Sequence, residues 1–425
     1  ATHPAGEVFD VVVWHDFIVT HTHSGASVPV GRSGAPMITA LVLVVLAISA
    51  GALTAMVLTW PSASDVPKGL DPYGGEGVSR VGAVVKSVEA LDCNGTGAGP
   101  DNTPGVAGAC GEVTAATDDG EAAKVTLDPT RFQSGISVGD QVTLLRVQPA
   151  GQTPSFEFVD FQRGVPLAAL AAVFAVVVIA IARWRGLFAL IGIGVTLMAL
   201  TQYVLPSILA GRSPVLTAII GSTVIMIVVL YLAHGISVRT TSALFGTLFG
   251  IAMTAGLGVL STDLSSITGL GSEDDRLLLA TVSTLNLSQV AAATMVIAGL
   301  GVLNDVTVTQ ASAVWEMRAF QPTASRASVF ASAMRIGRDH IASSVYTLVF
   351  AYAGSAMTIL LLVSAYQQNL VTVVTTEQIG QEVVRTLVGA IGLVLAVPVT
   401  TAIAVWMVPR GEKSYVGRRS APIQP

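Results

Sequence analysis

"GLGVLNDVTVTQASAVWE", residues 299–316, closes a long apolar run that begins near Leu287. About 20 apolar residues suffice to cross the ~30 Å hydrocarbon core of a bilayer as a helix, and this run is longer. Yet it carries Asn304 and Asp305 side by side. A carboxylate at lipid depth costs roughly 2.5–3.5 kcal/mol on insertion scales, so it is rare and leans functional. Gly301, Asp305, Thr309, Ser312 and Glu316 recur at steps of four, four, three and four, which puts them on one face of a helix. Ala291, Ala292, Ala293 and Gly299 are small enough to let a neighbouring helix approach closely. The expectation is a helix buried in a bundle, with its polar stripe facing protein or a water-filled cavity.

The rest of the chain supports a membrane setting. Of its 425 residues, 52% are hydrophobic and 12% charged, against about 25% charged in soluble domains. Mean hydropathy is +0.69. Apolar runs fall near residues 37–59, 164–182, 187–209, 214–234, 241–260, 287–312, 341–365 and 384–408. Eight spans put both termini on one side. Arg32, Arg183, Arg185, Arg239, Arg318, Arg326, Arg335, Arg338, Arg410, Lys413, Arg418 and Arg419 share that side, whereas the opposite short loops hold Arg212, Arg276 and Arg385. Cytoplasmic loops collect Lys and Arg, so both termini are expected in the cytoplasm. The Ala, Val, Gly and Arg usage fits a GC-rich bacterial genome, and the bacterial plasma membrane is the expected location. No cleavable signal sequence is expected, because the first apolar run starts only near Met37.

The expected organisation is therefore a cytoplasmic tail (1–36), a first transmembrane helix (37–60), an extracytoplasmic β domain (61–163), a seven-helix transmembrane domain (164–409) and a cytoplasmic tail (410–425). In the β domain, "SRVGAVVKSVEALDC", "CGEVTAATDDGEAAKVTLD", "ISVGDQVTLLRV" and "PSFEFVDFQR" alternate as strands do. Asp119-Gly120 marks a hairpin turn. Five short strands suggest a small all-β barrel of OB type. It lacks the basic and aromatic surface of a nucleic-acid binder. Cys93 and Cys110 flank a Gly/Pro/Asn-rich excursion on the outer side, where disulfides persist. A bridge between them is expected, with two free thiols as the alternative. No metal site is expected there, since no His or further Cys is near in sequence.

His3, His15, His21 and His23 sit on the Gly/Ser-flanked N-terminal tail, which gives a metal no fixed geometry. No nucleotide-binding loop, HExxH zinc motif or GxSxG elbow occurs. Neither an enzyme nor a cofactor is expected.

Segment 322–344 is expected to start as an amphipathic cytoplasmic helix at Pro322-Thr323. It would then turn into the next span through Gly337-Arg338-Asp339-His340. Arg338 is the expected partner of Glu316 or Asp305. Two readings of the cluster Asn304, Asp305, Thr309, Gln310, Ser312, Glu316, Arg338 and Asp339 stand side by side. One is a cavity binding an ion, proton or small polar solute; the other is an ionic lock that fixes helix packing.

The stretches "GLGVLNDVTVTQASAVWEMR" and "MRIGRDHIASSVYTLVFAYAGS" resemble the YibE/F-like bacterial membrane proteins. So does "FEFVDFQRGVPLAALAAVFAVVVIAIARWRGLFALIGIG", and the resemblance runs roughly from Gly77 to Val408. It implies a multipass membrane protein without an assigned activity. The family pattern has two acidic residues where this chain has Asn304-Asp305, which speaks for a single proton or an arginine partner over a divalent metal. It also has Asn at the place of Tyr346 and a Pro-containing stretch at Ala356-Met357-Thr358. The functional expectation is a permease-like protein handling a polar solute or ion between the sixth and seventh spans. The alternative is a scaffold or accessory subunit that docks an envelope partner through its outer domain. The lipid bilayer is its expected surroundings.

Overall fold

The computed structural model describes residues 35–62, 64–67, 75, 77–91, 109–367 and 369–409. The histidine-bearing tail, the loop holding Cys93 and the tail 410–425 lie outside the described residues.

Helix α1 (Ala35–Leu58) leads to an antiparallel sheet of β1 (Val78–Leu91), β2 (Cys110–Thr117), β3 (Ala122–Leu127), β4 (Gln141–Val147) and β5 (Ser155–Phe161). One helical turn, α2 (Pro129–Phe132), lies between β3 and β4 and is capped by Asp128. The expected stretches are these strands. In β3, Ala123, Val125 and Leu127 point inward while Lys124 and Thr126 point out, the period-2 pattern of a half-buried strand. Gly120 takes φ +83° in the β2–β3 turn, a conformation that favours glycine. The strand order is β3-β2-β1-β4-β5. A bulge between Val85 and Ser87 bends the long β1, and the two edge strands β3 and β5 come into contact. The sheet therefore curls around a core that includes Val85, Val113, Val125, Val142 and Leu144. Cys110 is buried at the start of β2. No described cysteine is a free thiol.

The helical part comprises α3 (Gly164–Ala199), a π turn (Leu200–Val204), α4 (Leu205–Leu209), α5 (Pro214–His234), α6 (Val238–Leu264), α7 (Glu273–Thr281), α8 (Leu287–Phe320), α9 (Arg326–Ser355), α10 (Met357–Ala365), α11 (Leu370–Val374) and α12 (Glu377–Met407). Its boundaries follow local chemistry. Ser237, Asn286 and Ser325 each accept a backbone N–H as N-caps. Ser272 and Asp275 form a reciprocal capping box on α7. Gly235, at φ +73°, ends α5.

Among the described residues, six helices are long and apolar enough to cross a membrane, and the pair α9–α10, bent by 63°, makes a seventh if it counts as one span. The sequence reading gave eight. The difference lies in residues 164–209, which count as one 46-residue unit. Arg183, at φ 55° and ψ −133°, interrupts it. A Cβ on Gly186 would stand 2.5 Å from the Val178 carbonyl oxygen. In a straight helix those residues are about 12 Å apart along the axis, so the chain folds back sharply at Arg183.

The interior is the group α6, α8 and α12, with α5 and α9 packed on α8. Glycines set the spacing. A Cβ on Gly246 would collide with Thr400, one on Gly250 with Leu303, and one on Gly392 with Thr254. Such small residues let membrane helices approach closely where apolar burial gives no drive. By contrast, α1 and α3 are apolar all round yet largely exposed. Helices of that kind face lipid rather than water.

At the opposite end from the α8–α9 turn, the first residue of α12 ties two segments together. The Glu377 carboxylate accepts from the N–H groups of Thr268, Gly269 and Leu270 at 2.7, 2.7 and 3.2 Å, and from the Thr268 hydroxyl.

Candidate functional site

Asp305 sits about 27 Å along α8 from Leu287 and about 22 Å from Phe320, at 1.5 Å per residue. It is thus near the middle of a helix that spans the bundle. Helix α8 turns one side to α6 and α12 and leaves another open, and Asp305 lies on the open side, its side chain 71% exposed. Gly301 and Glu316 share that side, and Thr309 and Ser312 are half-buried beside it. The periodicity of the stripe holds, but its direction differs from the expectation: within this chain it faces outward. The buried side of α8 carries Leu303, Val306, Thr307, Gln310 and Val314 instead. These fill the interface with α6, α9 and α12, so the acidic stripe is left for the opposite face.

The partner of Asp305 also differs from the expected Arg338. His340 Nε2 lies 3.9 Å from Asp305 Oδ2. Its ring nitrogen is buried and makes no hydrogen bond. The reason is helical geometry. Val329, Ala333, Gly337, Ser344 and Leu348 form the packed side of α9, and His340 follows Gly337 by three and precedes Ser344 by four. Arg338 is two residues from His340, about 200° around the helix, on the far side. Arg338, Asp339 and Glu316 are exposed, and none forms an ion pair among the described residues.

The structure separates the remaining candidates into two groups. The hydroxyls of Thr309 and Ser312 donate back to the carbonyls of Asp305 and Val308, at 2.6 and 2.8 Å, and make no other hydrogen bond among the described residues. Gln310 is buried and structural: its Nε2 donates to the Ala333 carbonyl at 3.0 Å and to Thr401 Oγ1 at 2.7 Å. Asn304 Oδ1 is buried without a hydrogen-bond partner.

Helix α9 is continuous from Arg326, so the expected turn at Gly337 is absent. Gly337 serves close packing, since a Cβ there would stand 2.8 Å from Val397 and 2.9 Å from Gln310 Oε1. The bend comes later, at Ala356. Arg318, not singled out in the sequence, is buried and donates to the carbonyls of Pro322 and Ala324 at 3.2 and 2.7 Å, which fastens the α8–α9 turn. Thr307 was also missed. Its hydroxyl meets Thr247 at 2.7 Å, with both side chains fully buried.

Among the described residues, no three His, Cys, Asp or Glu side chains are gathered as a metal centre would need. The arrangement instead offers one carboxylate and one imidazole at the same depth, open on one side. An imidazole nitrogen can hold or release a proton, and a carboxylate attracts a proton or cation.

The family model for YibE/F-like proteins matches residues 170–410, more than half of the chain. The chain belongs to the YibE/F-like protein family. The match covers the helices from α3 to α12 and therefore the Asp305–His340 pair, whereas the β domain lies outside it, short of the Gly77 start the resemblance suggested. No curated protein and no solved structure matches this YibE/F-like chain. Family and apolar helices together make it a membrane protein.

Proposed function

We propose that this YibE/F-like protein is permease-like and passes a proton or small polar cation at the α8–α9 site, with Asp305 and His340 as the exchanging groups. The observation that carries the reading is the approach of His340 Nε2 to Asp305 Oδ2 at 3.9 Å, midway along α8, with the imidazole nitrogen left without a hydrogen bond. Intramembrane ionisable pairs of this kind mark ion and proton pathways. Arg338, on the far side of α9, holds no direct part.

The accompanying arrangement is eight crossings with both termini in the cytoplasm of a bacterium, the break at Arg183 separating the second and third. The β domain then stands outside the plasma membrane. Its strand order, the contact of β3 with β5, the bulged β1 and the short α2 support an OB-like barrel. A bridge from Cys110 to Cys93, which lies outside the described residues, belongs to the same proposal.

Purified protein in sealed vesicles with a trapped pH dye tests the site. Imposed gradients of protons, sodium or potassium should be dissipated by the wild type and by Arg338→Gln. Asp305→Asn and His340→Gln should be inactive. Unchanged flux in Asp305→Asn ends the reading.

A second reading, a non-transporting scaffold, draws on the closed α6–α8–α12 interior. There Thr247 is bonded to Thr307 and Gln310 to Thr401. Gentle detergent extraction separates the two: a stoichiometric envelope partner with no flux in vesicles supports the scaffold.

A further inference from the structure

Helix α10 is apolar, yet none of its side chains is fully buried. The 63° bend at Ala356 turns it aside from α9. Together with α11, the start of α12, Leu270, Gly271 and Arg276, it encloses a cavity of about 400 Å³, within the size range of small-molecule sites. Gly269, beside this cavity, packs against Leu287 at the start of α8. The site therefore stands about 27 Å along α8 from Asp305. Ile359 and Val363 of α10 and Val373 of α11 give it an apolar lining, to which Arg276, Tyr366, Glu377 and Gln378 add polar groups.

Spare hydrogen-bonding capacity decides what fits. The Glu377 carboxylate already accepts from the Thr268, Gly269 and Leu270 N–H groups and from the Thr268 hydroxyl, so it offers little to a ligand. Arg276 forms no ion pair or hydrogen bond among the described residues. Its neighbour Asp275 is held by Ser272 in the capping box, and Glu273 and Asp274 do not line the cavity. The first turn of α12, whose N-cap Thr376 makes no side-chain cap bond, adds partial positive charge. The charge left unmatched is thus that of a guanidinium, which can only donate. We propose that the cavity binds an anionic amphiphile, its apolar chain against α10 and α11 and its carboxylate or phosphate on Arg276. A guanidinium holds either head group through two parallel N–H donors. A purely polar anion would leave Ile359, Val363 and Val373 facing water, and a neutral amphiphile would leave Arg276 unused. Leu361, exposed on the outside of α10, puts the cavity at the lipid border, so an amphiphile reaches it from the bilayer. Such binding is independent of proton passage at Asp305 and His340.

Equilibrium dialysis of radiolabelled decanoate against the full chain in phosphatidylcholine nanodiscs tests it, with empty discs subtracted. Saturable binding of one decanoate per chain is expected. Excess decanol, which has the chain without the charge, and acetate, which has the charge without the chain, should not compete. Arg276 is exposed and unpaired, so Arg276→Gln leaves the fold intact; it should weaken binding about tenfold, the loss of one charged hydrogen-bonding partner. Arg276→Lys should restore most of that loss. Arg212→Gln, in the α4–α5 turn and outside the cavity, should bind as the wild type does. Equal binding by Arg276→Gln and wild type, an equal loss in Arg212→Gln, or competition by decanol or acetate as strong as by unlabelled decanoate overturns the proposal. Discs containing phosphatidylglycerol then separate two sources of the same chemistry. Loss of decanoate binding in them assigns the site to a membrane lipid, and retained binding assigns it to a free amphiphile; both uphold the site.

Discussion

Thr247 and Thr307 face each other across the α6–α8 interface, their hydroxyl oxygens 2.7 Å apart and both side chains fully buried. Each is also within reach of its own helix, Thr247 at the Ala243 carbonyl and Thr307 at the Asn304 carbonyl. Either hydroxyl can therefore donate across the interface while the other donates back. Interhelical hydrogen bonds in membranes average about 0.6 kcal/mol and reach about 1.7. A double-mutant cycle with Thr247→Val and Thr307→Val, read by thermal unfolding in detergent, should return a coupling in that range. Strict additivity would mean the contact is not formed.

The glycine spacing of the interior makes a sharper prediction. Gly246→Val drives a side chain into Thr400, and overpacking of this kind costs about 1–3 kcal/mol or more. Gly194 has open space where a side chain would go. Gly246→Val should thus lower the unfolding midpoint and the yield of folded protein, while Gly194→Ala leaves both close to wild type. Equal tolerance at the two positions would contradict the tight α6–α12 contact.

Glu377 holds the Thr268–Leu270 loop by three backbone N–H groups and one hydroxyl. Hydrogen bonds to a charged group contribute about 1.5–3 kcal/mol each when both partners are ordered. Part of that is lost here to water, because Glu377 is only half-buried. Glu377→Ala should lower stability by about 2 kcal/mol, with hydrogen exchange rising first in Thr268, Gly269 and Leu270. Exchange unchanged at those three amides would show that the latch is not closed in solution.

The junction of the β domain with α3 carries a pH-dependent contact. Arg163 Nη1 donates to Asp160 at 2.7 Å, and that bond, with the Phe161 N–H, holds the Asp160 carboxyl below its ordinary value. A depressed folded value means that the contribution is present above the unfolded value, near 3.9. It is lost as pH falls through the folded one. The difference in unfolding midpoint between wild type and Asp160→Asn should shrink below about pH 4. A difference that grows on acidification would reverse the sign.

Pairing of Cys93 with Cys110 would close a loop worth roughly 3 kcal/mol in the chain-entropy model. Peptide mapping without reductant should recover the two cysteines linked, and reduction should lower the midpoint of the β domain. Two alkylated cysteines in the unreduced sample would settle against the pair.

Much of the architecture was legible because it rests on local patterns. Strand alternation placed β1 to β5, and Asp119-Gly120 placed a turn, since both depend on neighbours a few residues apart. The apolar runs placed most helices for the same reason. What escaped depends on contacts between distant segments. Gly337 looks like a breaker in sequence, yet it is helical because Val397 and Gln310 leave no room for a Cβ. Asp305 was legible as unusual, but its face was not, since hydroxyls at Thr307, Thr247 and Thr401 outcompeted it for the interior. His340 was available from the spacing of Ala333, Gly337, Ser344 and Leu348. Charge drew attention to Arg338 instead, and charge carries no information about which way a helix is turned.

The reversal at Arg183 bears on how the chain is made. With Gly186 pressed on Val178, the two arms of α3 meet within a few residues of the break. Each arm thus has its neighbour as soon as both have left the ribosome, without waiting for α12 to be synthesised. We expect this hairpin to enter the bilayer as one unit and to be protected from protease in chains truncated near residue 212. Gly186→Leu should delay that protection in a pulse-chase, an early fault in a protein whose later helices are unaltered.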